Sequence, residues 1–230
     1  MNEKPLSPRQ QKKRARILDA ALKVFSQSGY SGASMDAIAE TAEVSKPTLY
    51  MYFGSKEQLF ENMMLARRDA MLEAFLDPSG NMVDDLHAFA WRYADAVMDK
   101  NMLSLARLII GESQRFPEIG RAYQKAGPDR LLQGIIIYLE DQKQKGRLTF
   151  EDGELAAEDF WALILSAPRN KALHIPDDVP GKAAIRRYVE NGLRVFLRAY
   201  SKHPDSDIRH LKKLTDKTRT GGNTRVKKGD

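Results

Sequence analysis

Residues 34 to 53 read SMDAIAETAEVSKPTLYMYF, and this stretch decides the fold at the start of the chain. It predicts two short helices joined by a sharp turn of three residues. Their apolar positions form one inner face, made of Ile38, Ala39, Ala42, Val44, Leu49 and Phe53. Ala39 is small enough to let the two helices cross closely. The pattern also fits an ordinary pair of core helices in an all-α protein.

Residues typical of helix caps and turns occur at the positions in this stretch where the two helices would begin and end. Ser34 and Ser45 stand where N-cap residues belong. Pro47 falls in the first turn of the second helix, where a missing N–H costs little. Gly54 follows as the end of that helix, and Ser55 opens the next. The turn before Val44 requires a left-handed backbone, and here Glu43 occupies it at a cost of about 1 kcal/mol.

The second helix is expected to present a short, basic and aromatic surface to solvent. Such a surface suits the major groove of DNA, where side-chain donors and apolar groups contact base edges. Five cations crowd the first half of the preceding helix, and their mutual repulsion favours a phosphate backbone as partner. They are Arg9, Lys12, Lys13, Arg14 and Arg16.

KPTLYMYF at 46 to 53, followed by KEQLF at 56 to 60, resembles the helix-turn-helix of the TetR/AcrR family of bacterial repressors. That family typically has K-P-T-L-Y-x-Y-F and then K-x-x-L-F. The resemblance covers residues 8 to 60 closely, and the rest in length and helical character. Residues 116 to 148 also resemble the ligand domain of one branch of the family.

The resemblance implies a set of DNA contacts. Lys46, Thr48 and Met51 would touch base edges, whereas Tyr50 and Tyr52 would place hydroxyl groups near phosphates. Helix N-termini would add two more phosphate contacts. The complete set is Ser34, Lys46, Pro47, Thr48, Tyr50, Met51, Tyr52 and Lys56. For Tyr50, a half-buried core aromatic is the alternative.

Composition and charge narrow the class of protein. The 230 residues include no cysteine, which excludes disulfides and thiolate metal sites. Together with the lack of a signal-like start, this leads us to expect a cytoplasmic protein. The longest apolar runs, at 134 to 139 and 160 to 167, are far too short to span a bilayer, so we expect no membrane partner. Residues 1 to 56 carry a net charge of +4, residues 57 to 200 carry −3 and residues 201 to 230 carry +5. Basic ends on a mildly acidic body suit a protein that binds a polyanion at one end.

Helical periodicity and Pro or Gly breaks predict an all-α chain. Its parts are a disordered N-terminus at 1 to 7, a three-helix DNA-binding domain at 8 to 54, a larger helical effector-binding and dimerisation domain at 55 to 200, and a basic disordered tail at 201 to 230. The predicted helices cover 8–28, the two helices of residues 34 to 53, 56–76, 82–99, 101–114, 117–126, 128–145, 153–171 and 181–200.

The last two predicted helices carry apolar stripes that the resemblance assigns to a homodimer interface. A single intramolecular core is the alternative for both stripes. Gly192 inside a helix costs about 1 kcal/mol relative to Ala, which suggests a close approach of another helix. The predicted interface residues are Phe160, Ile164, Ala167, Ile185, Tyr188, Val189, Gly192 and Phe196.

A small-molecule effector of partly apolar character is the third partner that the resemblance implies, beside the operator DNA and the second subunit. The candidates to contact it are Trp91, Met98, Met102, Arg107, Phe160, Trp161 and His174. Each of them also fits plain core or surface, because residues that line a cavity have the same pattern as residues that fill a core.

Catalytic, metal and cofactor motifs are absent from the sequence. The four His residues lack metal-binding spacing, and neither a phosphate-binding Gly loop nor a nucleophile elbow is present. We therefore expect a DNA-binding regulator, most simply a ligand-responsive repressor, and not an enzyme. The alternatives are a regulator controlled by a protein partner, an activator, and an all-α enzyme with a chance helix-turn-helix pattern.

Overall fold

The computed structural model describes residues 7 to 221, with side chains to residue 216, and these residues are helical nearly throughout. Helices follow one another as α1 Pro8–Gly32, α2 Met35–Thr41, α3 Lys46–Phe53, α4 Lys56–Leu76, α5 Met82–Val97, α6 Lys100–Ser113, α7 Pro117–Ala126, α8 Pro128–Gln144, α9 Gly153–His174, α10 Lys182–Tyr200 and α11 Pro204–Gly221. The described residues contain no β-strand, only an antiparallel bridge between Leu148 and Ser201. The all-α prediction is confirmed. Within the same residues, no helix combines the length and apolar character needed to cross a membrane.

Local sequence explains where the helices begin. Ser7 and Gln10 form a capping box at the start of α1. The carboxylates of Asp99 and Asp152 accept backbone N–H bonds at the starts of α6 and α9. Gly29 interrupts α1 with a left-handed φ of 69°, at the residue where the sequence predicted the helix to end. The chain then completes one more helical turn before α2.

One compact unit comprises the described residues up to Asp69 together with Val97–Arg130. Its core draws on α1, α2, α3, the start of α4, α6 and α7. The rings of Phe25 and Phe60 pack edge to face at 5.3 Å, and Tyr30 contacts both. On α6, Glu112 lies beside Gly29, so that a Cβ on Gly29 would meet its carboxylate. The helix-turn-helix is therefore built into a core that α6 and α7 help to form.

The second compact unit comprises Ala70–Ala96 and the described residues from Leu131 onward. Phe160 on α9 is fully buried and packs on Phe196 of α10, with ring centroids 4.9 Å apart. Phe75 stacks on Phe89 at 4.5 Å and on Tyr138 at 4.0 Å. Aromatic packing thus joins α4 to α5 and α8, and α9 to α10.

This division differs from the predicted domains at two segments. Residues 55 to 69 and 97 to 130 were expected in the effector domain, yet they belong to the same unit as the helix-turn-helix. For residues 97 to 130 the cause is the apolar face of α6, whose Met102, Leu105 and Ile109 enter the core of α1 to α4. The assignment of effector binding and dimerisation to residues 55 to 200 stays a prediction.

The predicted disorder of residues 201 to 230 is wrong for the part that the structure describes, since Pro204–Gly221 forms α11. Leu211 and Thr215 are buried, and Ile208 is half-buried, so one face of α11 packs on the unit. His210 Nε2 lies 2.7 Å from Asp84 Oδ1, and the Ser201 hydroxyl donates to Asp207 at 2.6 Å. Apolar residues are sparse in α11, and tertiary packing supplies what its sequence pattern lacks. The disorder predicted for residues 1 to 6 and 222 to 230 lies outside the described residues.

Candidate nucleic-acid interface

Helices α2 and α3 form the predicted helix-turn-helix, and side chains cap both of them. The hydroxyl of Ser34 accepts the N–H of Ala37 at 3.1 Å, and that of Ser45 accepts the N–H of Thr48 at 3.3 Å. Gly54 ends α3 with a φ of 69°. The two serine caps satisfy backbone N–H groups in the first turns of α2 and α3, where the helices themselves offer no acceptor.

The turn between the two helices has the left-handed residue that the sequence predicted. Glu43 has a φ of 51°, and the following N–H of Val44 donates to the carbonyl of Ala39 at 3.0 Å. The guanidinium of Arg16 donates to the Glu43 carbonyl at 3.2 Å. The positive φ is thus supported from both sides, and the crossing of α2 and α3 is fixed.

One face of α3 packs on the core and the opposite face is exposed to solvent. Leu49 and Phe53 are buried, whereas Tyr50 is 43% exposed and Met51 is 74% exposed. The exposure of Tyr50 argues against the core alternative for this residue. Thr48 and Tyr52 are half-buried, and Tyr52 packs against the core. The outer face of α3 therefore offers an unbonded thioether and a phenol at its centre.

Lys46, the first residue of α3, forms an ion pair across the turn. Its Nζ lies 2.8 Å from Oδ1 and 3.0 Å from Oδ2 of Asp36, in the first turn of α2. Hydrogen bonding to this carboxylate raises the pKa of Lys46 above its usual value. Both side chains stay more than half exposed. Asp36 lies ten residues before Lys46, and this separation hides the pairing in the sequence.

Lys56 has partners other than those predicted. Its Nζ donates to the carbonyls of Tyr30 and Ala33 at 3.0 and 3.2 Å and lies 4.7 Å from the centroid of the Tyr30 ring. Burial and the neighbouring Glu57 raise the pKa of Tyr30 to about 12. Lys56 thus ties the start of α4 to the end of α1. Any phosphate contact by Lys56 would compete with these bonds.

Helix α1 supplies the cations that the sequence singled out. Arg9, Lys12 and Arg16 are exposed. Arg14 instead packs inward, with its guanidinium 5.5 Å from the centroid of the Phe53 ring and bonded to Asn62. Arg9 and Lys12 can meet a phosphate backbone directly, whereas a phosphate contact by Arg16 would compete with its bond to the Glu43 carbonyl. Arg14 fastens α1 to α3 and α4.

The seven effector candidates are divided between the two units. Met98, Met102 and Arg107 belong to the first unit, and the two Met side chains are buried. The other four belong to the second unit: Trp91, Phe160, Trp161 and His174. Phe160 is sealed in the core, and His174 is exposed, with Nδ1 2.8 Å from the Asn170 carbonyl oxygen. Trp91 donates to His87 Nε2 at 3.1 Å.

Trp161 lines an open groove in the second unit. Its ring packs edge to face on Tyr93, with centroids 6.1 Å apart. The groove has a volume of about 610 Å³, within the range of small-molecule sites. Arg169 and Glu158 supply charge, and the remaining lining comes from α9, namely Ala162, Ser166, Ala167, Asn170 and Leu173. The groove can therefore accept a partly apolar molecule with polar groups at its edge.

Five of the eight predicted interface residues are buried inside one protomer: Phe160, Ile164, Val189, Gly192 and Phe196. Their placement is corrected accordingly, because they join α9 to α10 within a single chain. The close approach predicted at Gly192 is real, and its partner is the backbone of α9. Ala167 and Tyr188 are exposed and Ile185 is half-buried. These three remain available to a second subunit.

Comparison with known families identifies two segments. Residues 17 to 63 match the family described as bacterial regulatory proteins, tetR family. Residues 84 to 202 match the AefR-like transcriptional repressor, C-terminal domain. The first match contains the helix-turn-helix, and the second ends two residues before α11 begins.

Individual relatives agree with these matches. The HTH-type transcriptional regulator UidR of Escherichia coli is 29% identical over 140 residues, which cover 59% of this chain and 69% of UidR. A TetR-family transcriptional regulator from Mesorhizobium loti superposes with a TM-score of 0.68 at 30% identity, covering 85% of this chain and 100% of that one. The flavonoid-responsive regulator FrrA superposes with a TM-score of 0.60 at 31% identity, covering 84% and 98%.

Proposed function

Because the chain belongs to the TetR family of bacterial regulatory proteins, and is thus a DNA-binding transcriptional regulator, we propose that it represses transcription as a ligand-responsive dimer. In this proposal the dimer binds an inverted-repeat operator and a small-molecule effector releases it. The matching C-terminal family is described as an AefR-like transcriptional repressor, and the relative NicS of Pseudomonas putida is named an HTH-type transcriptional repressor.

The outer face of α3 carries the proposal for DNA. Met51 and Tyr50 are exposed at its centre, Lys46 stands at its first turn, and Thr48 lies between them. Met51 would pack on a thymine methyl and Lys46 would donate to guanine. Tyr50 would donate to a phosphate oxygen, and the exposed cations of α1 would flank the groove. The Ser34 and Ser45 caps would hold these groups in position.

Two copies of this surface are needed for an inverted repeat, which is the reason for proposing a dimer. Recognition helices that enter successive major grooves must stand about 34–36 Å apart, or a multiple of that spacing. The proposed contact uses the exposed face of α10 around Tyr188, with Ala167 of α9 at its edge, where α9 also lines the groove beside Trp161. A small residue such as Ala167 lets two helices approach closely, and an aromatic residue such as Tyr188 adds a large apolar contact with few rotatable bonds.

The effector is proposed to bind the groove beside Trp161 in the second unit. The Tyr93 and Trp161 rings offer apolar and aromatic surface, and Arg169 offers a cation for a phenolate or carboxylate. FrrA, a relative 31% identical, is named for its response to flavonoids, so polyphenols form a reasonable first panel. Ligand would favour a conformation that binds the operator less well, with a coupling of about 1–3 kcal/mol.

Selection from random duplex DNA with the purified chain tests the DNA part of the proposal. We expect an enriched inverted repeat whose affinity falls steeply with salt, by about 0.9 in log–log slope for each neutralised phosphate. Weak binding without an enriched motif would contradict it. Light scattering of the same sample should give the mass of a dimer, and a monomer at micromolar concentration would contradict the inverted-repeat arrangement.

The chain contains two Trp residues, so intrinsic fluorescence can test the effector site. A ligand in the groove should quench wild type and the Trp91→Phe variant but not Trp161→Phe. Bound ligand should also raise the melting temperature by mass action. Quenching that disappears with Trp91→Phe instead would place the ligand elsewhere, and a ligand that leaves operator affinity unchanged would contradict release.

A further inference from the structure

Asp36 and Lys46 form a donor–acceptor pair at the edge of the proposed DNA surface. Lys46 is the first residue of α3, and its Nζ contacts both carboxylate oxygens of Asp36 at 2.8 and 3.0 Å. The two side chains are 54% and 67% exposed. The N-terminal residues of a recognition helix are those that contact base edges. An acidic residue at this place needs an explanation, because an isolated carboxylate would repel DNA phosphates.

The major-groove edge of a G·C pair has the complementary arrangement. Guanine O6 accepts and cytosine N4 donates, and the two atoms are hydrogen-bonded to each other at about 2.9 Å. The ammonium and carboxylate of the pair are separated by nearly the same distance. Nζ can therefore donate to guanine O6 and N7 while a carboxylate oxygen accepts from cytosine N4. The ion pair survives this contact, because Lys46 has three donor hydrogens and Asp36 has two acceptor oxygens.

An A·T pair fits the same two side chains poorly. Adenine N6 donates and thymine O4 accepts, so the carboxylate would face N6 and the ammonium would face O4. The carboxylate would then lie beside adenine N7, an acceptor that repels it. The ammonium would lie beside the thymine methyl group and lose water without gaining a second acceptor. Both the carboxylate of Asp36 and the ammonium of Lys46 therefore favour G·C over A·T.

Resting on the proposed operator-binding function, we infer that Asp36 and Lys46 together recognise one G·C base pair in each half-site. Asp36 is then a specificity-determining residue, and the order of Lys46 and Asp36 along the groove sets which strand carries the guanine. The expected discrimination per half-site is roughly fivefold to a hundredfold, the usual range for a bidentate base contact.

The experiment compares base preferences of wild type, Asp36→Asn and Lys46→Ala by selection from random duplexes, followed by affinities for operators changed at one position. Wild type should require G·C at one symmetric position. Asp36→Asn should lose that requirement while it enriches the same motif elsewhere. Changing that pair to A·T should weaken wild type at least about fivefold and the variant hardly at all. Glu40→Gln removes the same charge from an exposed position of α2 and serves as the matched control.

Each result separates this inference from the function on which it rests. An inverted repeat whose base preferences are identical in wild type and Asp36→Asn would overturn the inference and leave the regulator intact. A uniform rise in affinity of Asp36→Asn for all sequences, matched by Glu40→Gln, would likewise overturn it, since Asp36 would then act only through charge. Absence of any inverted repeat would overturn the operator-binding function itself. Melting curves of all variants confirm that folded proteins are compared.

Discussion

Gly192 of α10 lies against the backbone of Leu163 in α9, so closely that a Cβ on residue 192 would stand 2.3 Å from the Leu163 carbonyl oxygen. The Cα of Ile164 would be 3.1 Å away. Because backbone cannot move aside as a side-chain tip does, only glycine fits. This contact sets the separation of the two helices that carry the proposed dimer surface.

Gly192→Ala should therefore destabilise the protein by about 1–3 kcal/mol, since overpacking outweighs the gain in helix propensity of about 1 kcal/mol. Gly111→Ala is the matched control. Gly111 is an exposed helical residue of α6, and a Cβ there would meet nothing within 4 Å. It should stabilise by up to about 1 kcal/mol. Thermal melts of Gly192→Ala and Gly111→Ala test this prediction, and equal shifts in melting temperature would contradict the close contact at Gly192.

Tyr138 and Asp85 form a buried hydrogen bond in the second unit. The phenol donates to Asp85 Oδ2 at 2.8 Å, and the other carboxylate oxygen accepts the Ser79 N–H at 2.8 Å. Burial and this carboxylate raise the pKa of Tyr138 far above its usual value, so it stays protonated and donates. Tyr138→Phe keeps the stacked ring but removes the donor, and should cost about 1–3 kcal/mol. Urea unfolding measures this cost, and Tyr50→Phe, at an exposed tyrosine, should unfold like wild type. Equal stability of the two variants would contradict the buried bond.

His87 should make stability fall as pH drops below neutrality. Burial lowers its pKa below the usual value of 6.5, which the nearby Asp84 only partly offsets. The unfolded chain then binds the proton more readily than the folded one. The contribution of neutral His87 to the free energy of unfolding is therefore fully present above pH 6.5 and is lost as the pH falls further, by at most about 1.4 kcal/mol per pH unit. Protonation would also remove the acceptor that Trp91 uses. In His87→Gln the free energy of unfolding should change less between pH 7 and 5.5 than in wild type. His174→Gln, at an exposed histidine, should keep the pH dependence of wild type.

Lys56 and Tyr50 should behave differently when substituted, although the family resemblance assigned both to DNA. Lys56→Ala removes two charge-assisted bonds to backbone carbonyls and the contact with the Tyr30 ring, so it should cost about 1–3 kcal/mol of stability as well as DNA affinity. Tyr50→Phe should weaken operator binding and leave the melting temperature unchanged, because the phenol is exposed. Lys23→Ala, at an exposed lysine of α1, is the stability control for Lys56. A destabilised Tyr50→Phe would restore the core interpretation.

Most of the fold follows from short-range signals in the sequence. Ser34, Ser45 and Gly54 fix the ends of α2 and α3 because capping and left-handed glycine depend on local backbone geometry. Glu43 takes its positive φ for the same reason: the turn is defined by its neighbours in sequence. The side of α3 that faces solvent also follows from periodicity, with Leu49 and Phe53 inward.

Contacts between segments distant in sequence could not be predicted in the same way. Phe160 and Val189 have the pattern of a subunit interface, yet each is buried within one chain, because periodicity gives the apolar face of a helix and not its partner. The Lys46–Asp36 pair depends on how α2 and α3 cross. Helix α11 depends on a few apolar residues, Leu211 foremost, that are stable only when packed.

Truncation tests whether α11 is part of the folded unit. A chain ending at residue 203 loses Leu211 from the core and His210 from its contact with Asp84, and exposes the apolar surface of α10 that α11 covers. At about 25 cal/mol for each Å² of apolar surface exposed, burial of one leucine and its surroundings corresponds to about 1.5–3 kcal/mol. A chain ending at residue 221 keeps α11 and removes a segment with three basic residues, Arg225, Lys227 and Lys228. The longer chain should melt like wild type and bind nonspecific DNA more weakly at low salt, whereas the shorter one should melt earlier. Identical melting of both truncated chains would show that α11 adds nothing to the core.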